Sequence, residues 1–494
     1  MRNLSVLSLI LLFFFTQLQS QDLPDINPCA TIDGRVPWLV EYQKAPHAYP
    51  RSSDILYVPV TVHIVGTSSG SGYFSVQSTL DAFCTLNKDF EGTGIQFFIE
   101  GNIRYHNNNN WYEHTFQQGA QMMAQRNVAN TINCYIVEDP AGACGYSMYS
   151  LGIALKKSCN GPHHHTWAHE IGHYLSLPHP FYGWEGSNHD YNQPAPNSIN
   201  GNLVERVNGQ NCHIAGDGFC DTPADYLNYR WSCNGQGLSN ANQTDPTGEV
   251  FKSDGTLFMS YALDACSNRF SDDQIAAMQS NLLTERFNLL YNQTPMEPVS
   301  MDNFTSIAPV MNDSLPYYDQ VTFSWEPIAN AQIYILDVTV LQSFQVVQFR
   351  YFLEETNFTS FDLKQNRKYF WRVSAYNRWH TCLQTSPTQV FFTGDETLVS
   401  ENSVSETLQA FTVMPNPVPR GADIRIGLSS QEDMFSEISL LDLSGRVVYG
   451  RQHPITVGQQ FLNIPVGNLP AGLYFIQIRT DSGVVGKKVV IGDW

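Results

Sequence analysis

From Tyr57 the run YVPVTVHIV is rich in β-branched apolar residues and predicts a strand, after which Val76, Leu80, Phe83 and Phe90 fall on one face of a helix. Strand patterns return at Ile95–Ile99 and Ile132–Val137, with a helix expected between Thr115 and Arg126. This alternation of periods implies helices layered on a sheet, an α/β or α+β arrangement. Ser271 and Gln274 form a capping-box pattern ahead of Ile275, Met278 and Leu282, which predicts a further helix closing this first unit near Leu290.

After Asn292 the period changes. Residues 300–393 alternate polar and apolar positions in VTFSWEP, IYILDVTV, VVQFRYF and KYFWRVSAYN, a β-sandwich pattern at 299–394 in which Trp325, Tyr369 and Trp371 resemble core positions of a fibronectin type III module. Polar residues follow at 395–410, as in a linker. The segment 411–494 is again strand and turn, with MPNP (414–417), LLDLSGRVV (440–448), LPAGLYFIQI (469–478) and a terminal GKKVVIGDW. In this order these phrases resemble the C-terminal sorting domain of type IX secretion in Bacteroidetes-type bacteria, and the resemblance implies the secretion machinery as partner. A small terminal β-sandwich without an addressing role is the alternative.

At the other end, Arg2 precedes an apolar run from Leu4 to Phe15, too short to span a bilayer, with small Ser20 as a cleavage position: residues 1–20 read as a signal peptide. No later run is long enough for a transmembrane helix. Residues 21–52 carry scattered proline and charge without a sustained period, as a pro-segment or extended arm would, so the product is expected outside the cell or at its surface. Ten cysteines fit disulfides in that compartment; Cys212, Cys220, Cys233 and Cys266 crowd one loop-rich region, and pairing is not legible from spacing. Forty-six acidic against 27 basic residues, a formal charge of −19, exclude nucleic acid as a partner.

The chemistry concentrates in HEIGHYLSLPH, residues 169–179. His169 and His173 stand four apart, so on a helix both imidazoles project from one face and can bind one Zn²⁺. Glu170 lies beside them where its carboxylate can reach a metal-bound water, and Pro178 is expected to stop the helix so that His179 returns to the metal from a loop. Three neutral imidazoles leave a fourth position open, as a catalytic zinc site requires.

The motif resembles the metzincin pattern HExxHxxGxxH, with Ser176 where the family has glycine, at a cost of about 1 kcal/mol for a left-handed backbone. FMSY (258–261) supplies a methionine turn, and with GDGFCDTPAD (216–225) and CSNRFSDDQ (266–274) it makes residues 55–290 similar to the pappalysin (cytophagalysin) family. The resemblance implies an α+β zincin-type catalytic domain at 53–292, followed by two all-β sandwiches. It also implies His169, His173 and His179 as zinc ligands, Glu170 as base, Met259 as the floor of the site and Tyr261 as a transition-state donor. The expected activity is that of a secreted zinc metalloendopeptidase acting on proteins or peptides. Cys29 resembles a cysteine that blocks zinc in some metzincin zymogens, releasable by cleavage near Arg51, and alternatively is a disulfide partner or a spare thiol.

Further features are less constrained. His163–His165 read either as a second metal site or as a polar turn, and Gly142–Ser147 as an edge strand that could align a peptide by β-augmentation. The Asn- and Asp-rich loop at 199–225 could hold Ca²⁺, or be solvated. The rival to the enzyme is a catalytically degenerate scaffold for surface adhesion, with Ser176 as its sequence support; zinc-dependent hydrolysis of a non-peptide bond also fits the motif chemistry.

Overall fold

The computed structural model describes residues 28–31, 34–290, 294–360, 362–396, 408–442, 446–467, 469–480 and 483–492. The apolar leader and most of the polar stretch at 395–410 lie outside these residues; the strand Gln389–Glu396 and the strand beginning at Leu408 take its two ends.

The first part of the chain runs α1 (Pro37–Lys44), β1 (Leu56–Gly66), α2 (Val76–Asp89), β2 (Ile95–Ile99), β3 (Arg104–Asn107), α3 (Asn109–Tyr112), β4 (Glu113–His114), α4 (Phe116–Arg126), β5 (Ile132–Val137), β6 (Asp139–Pro140), β7 (Gly145–Met148), β8 (Gly152–Lys156), α5 (Thr166–Tyr174) and α6 (Asp272–Thr284). β1 is the hub of the main sheet. Its first half pairs in parallel with β2 and its second half with β3, while its other edge pairs in parallel with β5. β8 continues the parallel order, and β7 closes it as an antiparallel edge. β5 is buried along its whole length, which explains its unbroken INCYIV run.

Thr115 and Ser271 both form the full capping box, so α4 and α6 begin where the sequence places them. Two details differ from expectation. Residues 37–44 form α1 in the arm read as irregular: proline sits in its first turn, and Trp38 stacks on Tyr42 one turn on, with ring centroids 5.2 Å apart. Its apolar face docks on the core of the first unit through Leu39 and Tyr42. Second, α5 ends at Tyr174, well before Pro178. The exit is made by Ser176 at φ 84°, with Leu177 N–H donating to Gly172 O at 2.9 Å, a Schellman-type close in which serine takes the left-handed position usually given to glycine.

Among the described residues from 294 onward the regular elements are all strands. Residues 306–396 form a three-stranded and a six-stranded sheet around Trp325, Tyr369, Trp371 and Phe391. This sandwich is fixed to the first unit by the Cys84–Cys382 disulfide, by Trp379 stacked on Phe98 at 4.0 Å, and by Ile99 N–H donating to Arg378 O at 2.9 Å. Residues 408–492 make a second sandwich of three and five strands with a mainly aliphatic interior around Ile426, Leu440, Ile476 and Val489, joined by the ring of Tyr474. No helix among the described residues is long and apolar enough to cross a membrane.

Candidate metal centre

α5 carries the site because its period puts His169 and His173 on one face, and the turn at Ser176 returns His179 to them. The Nε2 atoms of His173 and His169 are 3.1 Å apart, those of His173 and His179 3.1 Å, and those of His179 and His169 3.3 Å. The opposite ring nitrogens are all engaged. His169 Nδ1 faces Phe258 O at 2.7 Å, His173 Nδ1 faces Leu177 O at 2.7 Å, and His179 Nδ1 faces Glu185 Oε1 at 3.3 Å. A carbonyl only accepts, so each of the first two rings carries its proton on Nδ1 and turns a bare Nε2 lone pair to the centre.

Burial and the neighbouring imidazole of His179 hold His169 down to about 3 and His173 well below its ordinary value, so both are neutral. Three converging lone pairs cannot satisfy one another. They can share a cation, and ligands bound tetrahedrally to Zn²⁺ at 2.0–2.1 Å lie about 3.3 Å from each other. Cys29 Sγ joins the group: the four ligand atoms lie within 4.8 Å of one another, and all four residues are buried. Three imidazoles and a sulfur are a donor set suited to zinc.

Glu170 is fully buried, and its Oε2 accepts a hydrogen bond from Thr31 Oγ1 at 3.0 Å. β7 passes close beside it: a Cβ on Gly145 would meet Glu170 Oε1 at 2.9 Å. The outer edge of β7 is occupied by the N-terminal arm. Ala30 N–H donates to Gly145 O at 2.9 Å, and Ser147 N–H donates to Thr31 Oγ1 at 2.9 Å. Tyr261 adjoins the group with its ring 4.7 Å from that of His179, and its hydroxyl donates to Cys29 O at 3.2 Å. Met259 is buried beneath α5, where a side chain on Gly172 would collide with its sulfur. All seven residues singled out from the sequence therefore fall in one neighbourhood.

The disulfides resolve what spacing left open. The loop-rich region pairs within itself as Cys212–Cys220 and Cys233–Cys266, Cys144 joins Cys159, and Cys29 and Cys134 are buried outside the four disulfides. His165 faces Asp89 at 2.9 Å, and the His163–His165 run forms no second group of ligands among the described residues. Nor does the loop at 199–225 bring together three acidic ligand atoms there. It buries Glu205 and Asp217, raised by burial to about 9 and about 7, beside Arg35 of the arm. The Arg35 guanidinium donates to Ala215 O and Gly216 O, both at 2.9 Å.

Sequence reasoning missed Thr31, Arg35 and Glu185. Arg35 and Thr31 reach partners more than 130 residues away, so no local pattern marks them. Glu185 lies six residues after His179, and the need of a ligating imidazole for an acceptor at its second nitrogen is the one signal that pointed to it.

Comparison with known proteins adds two independent likenesses. Residues 412–492 match the family described as the secretion system C-terminal sorting domain, so that domain is present. An extracellular metalloprotease of Neurospora crassa is 27% identical over 160 residues, covering 28% of this chain and 56% of that protein. Extracellular metalloprotease 1 of Coccidioides posadasii is 23% identical over 250 residues, covering 46% of this chain and 78% of that protein. The chain thus spans about half the length of the first of these relatives. Among solved structures, the fibronectin(III)-like modules of Clostridium thermocellum CbhA are similar at 10% identity over 38% of this chain and 92% of theirs, with a TM-score of 0.16. Distant relatives of this chain are extracellular metalloproteases, and its sorting tail supports secretion or display at the cell surface.

Proposed function

We propose that the chain is a secreted zinc metalloendopeptidase of the pappalysin-like metzincins, held latent by its own N-terminal arm. The observation that carries this reading is the convergence of three histidine Nε2 atoms and Cys29 Sγ above a helix that also bears a buried glutamate. Bound by His169, His173 and His179, Zn²⁺ supplies Lewis acidity that brings the pKa of water towards about 7 and polarises a peptide carbonyl.

The protein does the rest. The Glu170 carboxylate takes the proton of the attacking water and delivers it to the departing amine. Tyr261 OH, which donates to the Cys29 carbonyl in the latent chain, donates to the developing oxyanion once the arm leaves. β7 aligns an extended substrate along the edge that residues 30–31 now occupy. The arm blocks each of these groups in turn: Cys29 Sγ stands at the fourth ligand position, Thr31 holds the Glu170 carboxylate, and Ala30 bonds to the edge strand. Cleavage in the exposed stretch near Arg51 frees the arm. Against the degenerate-scaffold reading, Ser176 already adopts the left-handed turn, and Leu177 O is thereby returned to His173 Nδ1.

The test is digestion of a diverse peptide mixture by the chain processed near Arg51, with and without chelator. Cuts that disappear with chelator and return with zinc are expected; a zinc-loaded, processed chain that cuts nothing sinks the proposal. Unprocessed Cys29→Ala should show early activity, and a silent Cys29→Ala precursor removes the cysteine from the latency device.

A further inference from the structure

A cleft beside the metal group is lined by His169, Phe258 and Tyr261, with Arg230 and Asp264 as its charged wall. Pro28 lines it too, and Pro28 immediately precedes Cys29, whose sulfur stands among the three imidazoles. In the latent chain, then, the residue next to the metal-facing one forms part of this cleft's wall. A peptide lying on β7 with its scissile carbonyl at the metal would place a flanking side chain in the same space. The inference rests on the peptidase reading above.

Arg230 Nη2 donates to Asp264 Oδ2 at 2.7 Å, and His165 N–H donates to Asp264 Oδ1 at 3.1 Å. Both carboxylate oxygens are thereby engaged. The guanidinium has five N–H donors, and Asp264 is its one hydrogen-bond partner among the described residues. The two side chains are 27% and 22% exposed, so they are within reach of an incoming group. At a distance their charges cancel; at contact, the cleft offers unused donors and a carboxylate already bound on both oxygens. A lysine or arginine side chain entering it would meet the guanidinium and have to break the ion pair.

We propose that Arg230 makes this cleft a subsite for side chains that accept hydrogen bonds (Asn, Gln, Asp or Glu) at one position flanking the scissile bond, and that it rejects Lys and Arg there. Asp264 is the positioning residue that holds the guanidinium in the wall. The alternative, in which Asp264 takes a basic side chain and Arg230 moves aside, is an outcome of the same test.

The experiment maps both flanks of every cut made by the processed, zinc-loaded full chain in a proteome-derived peptide library, for wild type, Arg230→Ala and Asp264→Asn. Wild type should show Lys and Arg depleted at one flank. In Arg230→Ala the Asp264 carboxylate loses its counter-charge, and kcat/KM for Lys or Arg relative to Gln at that flank should rise on the order of tenfold or more. Asp264→Asn should move the preference the other way, towards Asp and Glu, and carries the test alone if Arg230→Ala does not fold. Wild-type cuts enriched in Lys or Arg at that flank, or the same profile in all three chains, overturn the assignment of Arg230. A wild-type chain that cuts nothing fails on the peptidase reading instead.

Discussion

The first unit and the terminal sandwich solve the problem of a stable interior in opposite ways. Between residues 408 and 492 the core is Val418, Ile424, Ile426, Leu428, Ile438, Ile476 and similar aliphatic side chains with Tyr474, and the buried polar residues described there are Ser430 and Ser436. The first unit instead buries Glu170, Glu205, Asp217 and Asp225 together with the three site histidines. Burying such groups is costly unless each is given a partner. Here the partners are fixed one by one: carbonyls for His169 and His173, Thr222 and the Phe219 N–H for Asp217, and Ser253 for Asp225. Three disulfides lie wholly within this unit and none within the terminal sandwich. The comparison teaches that the first unit fixes a polar interior with specific side-chain bonds and disulfides, whereas beneath its strand ladders the sorting module has an almost entirely apolar interior held by packing.

The sharpest way to break that contrast is to remove the chemistry while keeping the fold. Glu170→Gln preserves volume and leaves the three histidines in place, so in the processed chain bound zinc should be retained by metal analysis while hydrolysis falls about 10²–10⁴-fold, the usual worth of a general base. Undiminished cleavage would remove Glu170 from its role. The reverse experiment is Ile476→Ala in the terminal sandwich. This fully buried side chain leaves a cavity on truncation, so denaturant unfolding of the whole chain should report a loss of about 2–5 kcal/mol, with hydrolysis per folded molecule unchanged. A loss under about 0.5 kcal/mol would mean that packing is not what holds this module.

The same contrast governs what was legible in the sequence. Alternating strands and the HEIGHYLSLPH spacing are local, so the sandwiches, α5 and the convergence of His169, His173 and His179 follow from period and helix geometry. What was not legible depends on distant partners. Thr31 meets Glu170 across 139 positions, Arg35 meets Ala215 across 180, and Cys84 meets Cys382 across 298. α1 escaped notice because its eight residues gain their helicity from docking Leu39 and Tyr42 on the core, not from a long periodic run. Ser176 was legible as a departure from the family pattern, but not as the turn that ends α5: Pro178 looked like the stop, and the tertiary need to bring Leu177 O to His173 won.

Two smaller effects sharpen the contrast further. Tyr261→Phe removes one hydroxyl from the site wall, and if that hydroxyl stabilises the oxyanion, kcat should fall about tenfold or more with KM little changed. An equal change in KM alone would make Tyr261 a binding residue. The least effect, and the most direct probe of the polar interior, is a pH slope. Burial and Asp217 raise Glu205 from 4.5 to about 9, and burial raises Asp217 from 3.8 to about 7, despite Arg35 nearby. Folding thus favours their protonated forms, and the unfolded chain binds fewer protons over this range. Stability from this pair is fully present below about pH 4 and is lost as pH rises through about 7 and then 9. Glu205→Gln cannot ionise and removes a like charge from Asp217. Its Tm, measured against wild type with zinc held constant, should decline less steeply between about pH 5 and pH 9. Parallel Tm curves for the two chains would mean that Glu205 does not titrate across this range in the folded protein, and the buried pair would lose its part in the pH dependence.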